Sequence, residues 1–184
     1  MIITIGRQLA AGGSEVGKKL SQQLKMRYFD KELLLEMARS SGISEKFFER
    51  ADEHYNPFLY ALDSQAPQLF QVQCDVMRRL AKESDCVFVG RCADFILRDE
   101  PKRLDIFLMA DMEDRIKRVM KTENMSADEA LEHIETAEKH RAEYYNFYTN
   151  KQWGEAKSYH LCLNTSLLGI DGCVEMIEKA TAAL

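Results

Sequence analysis

"ITIGRQLAAGGSEVGKKL", residues 3–20, reads as an apolar strand, a glycine turn and a basic helix. That is the outline of a phosphate-binding loop. The motif G-x-x-x-x-G-K-[ST] needs glycines to bring backbone N–H groups onto phosphate, a lysine for the outer phosphates and a hydroxyl for magnesium. Gly12 fits the second glycine and Ser14 the hydroxyl, but Gly13 stands in the lysine position. The first glycine is out of register, because five residues separate Gly6 from Gly12 and a four-residue spacing starts at Arg7. The backbone from Ala11 through Gly12, Gly13, Ser14 and Glu15 to Val16 still aims N–H groups and a helix dipole at one spot, which suits a phosphate. The bland alternative is a tight strand-to-helix turn with no ligand. Candidates for the missing cation are Arg7, at the strand exit, and Lys18, one helical turn beyond Ser14 and tilted back toward the N-terminus. Lys18 fits a solvated helix lysine equally well.

A chain of 184 residues, 46% hydrophobic and 30% charged, has enough apolar surface for one substantial core and is too short for two ordinary domains. The net charge of −5 argues against a general nucleic-acid or membrane-surface binder. No apolar run approaches the roughly 20 residues of a membrane-spanning helix, and "MIITIGRQ" lacks the flanks of a signal peptide, so a cytoplasmic location is expected. Cys74, Cys86, Cys92, Cys162 and Cys173 form an odd set without metal spacing, and no two of the four histidines match a zinc helix. Reduced, mostly buried thiols and no protein-bound metal site are expected.

Along the chain, Val16, Leu20 and Leu24 recur at helical spacing behind Ser14, read as the helix cap. "YFD" is a short strand, "KELLLEMARSSG" a helix, "SEKFFERADEHY" an amphipathic stretch, and the polar run from Asn56-Pro57 to Pro67 is irregular. "QLFQVQCDVMRRLAKES" is a long helix; "CVFVG" (86–90), "RLDIFLMA" (103–110) and "YHLCLNT" (159–165) are strands. Asp111 begins a helix, Ser126 and Glu129 make a capping box for another, and Asp171 opens the last. Strands alternating with helices of this length predict an α/β domain with a parallel sheet covered on both faces.

Ligands of such sheets bind beyond the carboxyl ends of the strands. That rule places Arg7, Asp30, Gly90-Arg91 and Asp111 near one rim. Asp30 has the chemistry to accept hydrogen bonds from a sugar hydroxyl or base amine, or to cap the following helix. Arg91 offers a planar fork for phosphate or carboxylate beside a glycine that lets a ligand approach, or an ion pair with Asp94 or Asp30. Glu138 and Arg141 are three apart on one helix face, either as a plain ion pair or on a mobile helix that brings Arg141 over a transferring phosphoryl group. The aromatics Tyr144, Tyr145, Phe147, Tyr148 and Trp153 read as an apolar cluster anchoring this excursion.

Taken together, "ITIGRQLAAGGSEVGKKLSQQL", "YFDKELL", "VFVGRCADFIL", "DIFLMADMEDRIKRV", "EKHRAEYYNFYTNKQWG" and "YHLCLNTSLLGID" resemble the cytidylate kinase-like family, a divergent branch of the P-loop nucleoside monophosphate kinases. The resemblance covers nearly the whole chain. It implies a three-layer P-loop kinase fold with a five-stranded parallel sheet: one domain over 1–184, with a nucleotide-binding arm at about 31–85 and a short lid at about 122–158. It implies ATP and Mg²⁺ as cofactors, with the loop holding the donor phosphates and Ser14 the metal. Asp30, Gly90, Arg91 and Glu138 fall at the acceptor positions and Arg141 at the lid arginine, while the aspartate of the family's glycine-arginine-aspartate triplet is Cys92 here. The expected activity is phosphoryl transfer from ATP to a nucleoside monophosphate, CMP or dCMP. The departures at Gly13 and Cys92 keep open a nucleotide-binding or regulatory protein with little or no turnover, and the lack of a readable base-recognition motif over 43–67 keeps open a kinase for a non-nucleotide small molecule. Asp94 and Asp111 fit structural roles, and the oligomeric state is not readable.

Overall fold

The computed structural model describes residues 1–30 and 66–184, with side chains described from residue 70 onward in the second stretch. The helices read at "KELLLEMARSSG" and "SEKFFERADEHY", the irregular run after them and most of the arm lie outside the described residues.

Five strands form one parallel sheet in the order β2-β3-β1-β4-β5. β1 (Ile2–Arg7) is central, flanked by β2 (Arg27–Phe29) and β3 (Cys86–Val89) on one side and by β4 (Arg103–Met109) and β5 (Leu161–Asn164) on the other. The described helices are α1 (Gly13–Leu24), α2 (Ala66–Glu83), α3 (Ala93–Ile96), α4 (Met112–Glu123), α5 (Ala127–Thr149) and α6 (Thr165–Thr181), with one 3₁₀ turn at Ala156–Ser158. Val89, the last residue of β3, pairs with Ile5, and Arg7, the last of β1, pairs with Leu108 one residue short of the end of β4, so the parallel strands end near a common edge.

The inner strands β1, β3 and β4 alternate between two buried layers. Ile3, Ile5, Val87 and Val89 point to one face, where Val16 and Leu20 of α1 and Val174 and Ile177 of α6 cover them. Ile2, Cys86 and Phe88 point to the other, against Met77 and Leu80 of α2 and Ile96 of α3. Burial on both faces is why these strands read as nearly continuous apolar runs. Asp105, buried inside β4, accepts from the Thr4 hydroxyl at 2.7 Å and Arg103 Nε at 2.8 Å, which satisfies its charge.

Two helix starts differ from the sequence expectation. Gly12, not Ser14, is the cap of α1, in the left-handed region at φ 80°, so Ser14 lies inside the first turn. The last helix starts at Thr165, because Asn164 accepts from the N–H groups of Ser166 and Leu167; Asp171 only follows a break at Gly169, whose φ is 68°. The Ser126–Glu129 capping box is present at the head of α5. No helix of the described residues is long and apolar enough to cross a membrane.

Candidate active site

The loop between β1 and α1 is held by its carbonyls. Arg118 of α4 donates to Ala10 O at 2.8 Å and the Thr165 hydroxyl to Ala11 O at 3.1 Å. Among the described residues, no side chain caps the start of α1. The backbone N–H groups there lie at the positive end of a twelve-residue helix, an arrangement suited to an anion. Ala11 and Val16 are fully buried, so their side chains serve the core and only their backbone faces the loop. Gly6 is a packing glycine: a Cβ there would lie 3.0 Å from Phe107 and 3.2 Å from Tyr159.

Beside this loop lies a cavity of about 330 Å³ at the carboxyl edge of the sheet. Its rim carries Arg7 from β1, Asp30 after β2, Gly90 and Arg91 after β3, and Arg141 from α5. Ser14 reaches the same place through Asp30, whose Oδ2 accepts from Ser14 Oγ at 2.6 Å and from the Tyr28 hydroxyl at 3.0 Å. Arg7 Nη2 lies 3.7 Å from Asp30 Oδ1. Arg141 Nη1 approaches the Arg7 carbonyl at 3.5 Å, which docks α5 on the end of the central strand. A hydroxyl and a carboxylate together offer the hard oxygens Mg²⁺ prefers, and Mg²⁺ commonly takes one or two carboxylates alongside substrate phosphates. These residues fit that ion.

The β3–α3 turn is unusual. Gly90, Arg91 and Cys92 have φ of 77°, 61° and 56°, three left-handed residues in succession, of which two carry side chains. Such conformations cost about 1–2 kcal/mol per residue outside glycine and concentrate at functional sites. Gln73 of α2, itself buried, donates to the Arg91 carbonyl at 2.8 Å and faces the Tyr144 hydroxyl at 3.5 Å, tying the turn to α5.

The inner wall is polar and aromatic: Thr4, Asp94, Tyr145, Trp153 and Tyr159. Asp94 is 7% exposed and accepts from the Tyr145 hydroxyl at 2.6 Å. Burial raises the Asp94 carboxyl above the ordinary carboxylate range, against the opposing pull of that hydrogen bond. Burial, and then the Asp94 charge, push the hydroxyls of Tyr145 and Tyr159 upward too. The Cys92 thiol is raised chiefly by burial, which keeps it protonated and unreactive.

Other expected site residues lie elsewhere. Glu138 turns from the cavity to pair with Arg115 of α4, which is 3% exposed. Lys18 is exposed, with Nζ 5.9 Å from the centre of the Tyr28 ring. Glu15 is exposed, and Asp111 accepts from Asn164 Nδ2 at 3.0 Å. Sequence reasoning did not assign Tyr145, Tyr159, His140 or Arg118 to a site. One signal was available: Ala137, His140, Arg141, Tyr144 and Tyr145 follow the i, i+3, i+4, i+7, i+8 stripe of a single helix face, and all five line the cavity.

A family model described as the cytidylate kinase-like family matches residues 2–167. The cytidylate kinase of Methanothrix thermoacetophila is 29% identical over 185 residues, covering 100% of this chain and 99% of that protein. A solved structure of an uncharacterized protein from Eubacterium ventriosum is 28% identical and superimposes with a TM-score of 0.80, covering 100% of this chain and 99% of that one. The shikimate kinase of Bacteroides thetaiotaomicron, 14% identical with a TM-score of 0.61 over 98% of this chain and 97% of that one, shares the fold.

Proposed function

Since this chain belongs to the cytidylate kinase-like family, whose P-loop kinase fold supports a phosphotransferase, we propose that it transfers the γ-phosphoryl group of ATP to a nucleoside monophosphate, with CMP or dCMP preferred. One observation carries the reading: Arg7, Asp30, Gly90, Arg91 and Arg141, from separate parts of the chain, surround one cavity beside an uncapped helix start.

The backbone of Ala11 to Val16 holds the donor phosphates. Ser14, with Asp30 beside it, would hold Mg²⁺, which would supply neutralisation of the donor phosphates' charge. Arg91, presented by the left-handed turn at Gly90, holds the acceptor phosphate in bidentate fashion. An oxygen of that phosphate attacks the γ-phosphorus, the bond from phosphorus to the bridging oxygen breaks, and the electron pair leaves on ADP. The acceptor oxygen is already ionised, so the step needs no general base. Catalysis then rests on position and positive charge, which Arg141, on the cavity rim, would supply to the transferring group.

Gly13 and Cys92 favour a second reading, a nucleotide-binding protein that has kept the fold without turnover. The experiment is ADP formation from Mg-ATP with CMP, dCMP, UMP, AMP, hydroxylated non-nucleotide acceptors or none, alongside ATP binding by calorimetry. Acceptor-dependent ADP with CMP or dCMP above the other acceptors supports the first reading, and Arg141→Glu then abolishes turnover while leaving ATP bound. Binding without turnover on any acceptor supports the second. Turnover only with a non-nucleotide acceptor overturns both.

A further inference from the structure

The side chain of Arg7 occupies the space that a loop lysine would need. A Cβ built at Gly13 would lie 2.7 Å from Arg7 Cγ, 3.1 Å from its Cβ and 3.3 Å from its Cδ. The methylene stem of Arg7 therefore runs where the side chain of residue 13 would begin. Farther along, a Cβ at Gly90 would lie 1.8 Å from Arg7 Nη1 and 2.8 Å from Cζ. The guanidinium rests in the opening left by that glycine. The two openings fit one side chain from stem to head, which makes glycine at position 13 an accommodation of Arg7 rather than a simple loss.

The head lies between the two halves of the reaction. On one side is Asp30, 3.7 Å away and hydrogen bonded to Ser14. On the other is the left-handed turn of Gly90 and Arg91. We propose that Arg7 replaces the absent loop lysine, entering from the strand exit through the openings of Gly13 and Gly90 so that its guanidinium meets the phosphoryl group in transit. This rests on the phosphoryl-transfer reading above. Arg7 gives a planar fork where a lysine gives a point charge, so it can contact two equatorial oxygens at once. Lys18, exposed and set over the Tyr28 ring, has no such seat.

The test is a four-protein cycle of the full chain: wild type, Arg7→Ala, Gly13→Lys and the double variant. Turnover is read with the best acceptor, the ratio of ATP to ADP affinity by calorimetry, and folding by thermal unfolding. Arg7→Ala is expected to lower kcat by about 10²–10³ and to lower the ATP-to-ADP affinity ratio. Gly13→Lys alone also loses turnover, because its stem meets that of Arg7. The double variant recovers at least about tenfold over Arg7→Ala, since the lysine then enters the vacated space. Arg7→Gln, which keeps most of the stem and removes the charge, carries the test if the double variant does not fold, and must fall as Arg7→Ala does.

Arg7→Ala within about threefold of wild type in both kcat and affinity ratio, or a folded double variant no better than Arg7→Ala, overturns the inference. If wild type turns over no acceptor, the transfer reading fails separately, and Arg7 is judged on the affinity ratio alone: a fall in both Arg7 variants supports its contact with the terminal phosphate, and an unchanged ratio overturns it. A wild type that binds neither nucleotide overturns both.

Discussion

Helices α1 and α5 begin in opposite ways. At α5, Ser126 accepts from the Glu129 N–H while the Glu129 carboxylate accepts from the Ser126 N–H, so the helix closes its own donors. At α1 the cap is Gly12, which has no side chain to give. The neighbouring residues satisfy the carbonyls of its loop instead, through Arg118 on Ala10 and Thr165 on Ala11. The difference separates a helix start built for stability from one kept open for a ligand. Two left-handed residues, Ala10 and Gly12, set the loop on that course, with φ of 57° and 80°.

Substitution at the open end is expected to have the larger effect. A Cβ at Gly12 would lie 2.4 Å from Ile170 Cδ1, and the backbone there is left-handed. Gly12→Ala must displace Ile170 or turn the loop, at a cost of about 1–2 kcal/mol in stability. Because the turn carries the N–H groups with it, ATP affinity falls at least about tenfold. Calorimetry on the folded variant checks this, and affinity unchanged within twofold would mean that the open helix start is not where phosphate binds. The closed end gives the complementary result. Ser126→Ala costs about 0.5–2 kcal/mol by thermal unfolding and leaves ATP affinity where it was. A loss of affinity there would erase the contrast between the two helix starts.

The strands, the two-faced sheet and the rim positions of Arg7, Asp30, Gly90 and Arg91, though not that of Asp111, were legible because each is written in local sequence. An apolar run ending at Gly6-Arg7, another at Phe29-Asp30 and a third at Val89-Gly90 place their last residues at the carboxyl edge wherever the sheet goes. The start of α1 was misread because serine is a common cap and glycine in the left-handed region leaves no polar signature. The partner of Glu138 was unreadable for another reason. Arg141, three residues on, shares its helix face, but Arg115 comes from a different helix and is nearly fully buried. A buried guanidinium needs a carboxylate far more than an exposed one does, so packing between α4 and α5, not spacing along α5, chose the pair. Arg7 was identifiable as a cation at a strand exit, whereas its passage between Gly13 and Gly90 exists only in three dimensions.

The inner wall differs from the rim in the same sense. At the rim, Asp30 accepts from two hydroxyls and faces Arg7. Asp94, on the inner wall, is buried with one tyrosine hydroxyl, and its carboxyl is raised, burial being the main cause. A carboxyl with a higher pKa folded than unfolded binds more protons in the folded state between those two values, so its share of stability is present at low pH and is lost as pH rises through the folded value. Asp94→Asn keeps an oxygen to accept from Tyr145 and has no proton to lose. The stability of wild type relative to this variant is therefore expected to decline as pH climbs from the ordinary aspartate range through the raised value, and to level off above it. Thermal unfolding of both proteins across that range measures the difference. A gap independent of pH would mean that Asp94 ionises as readily in the folded chain as in the unfolded one, and that its burial beside Tyr145 leaves its titration unchanged.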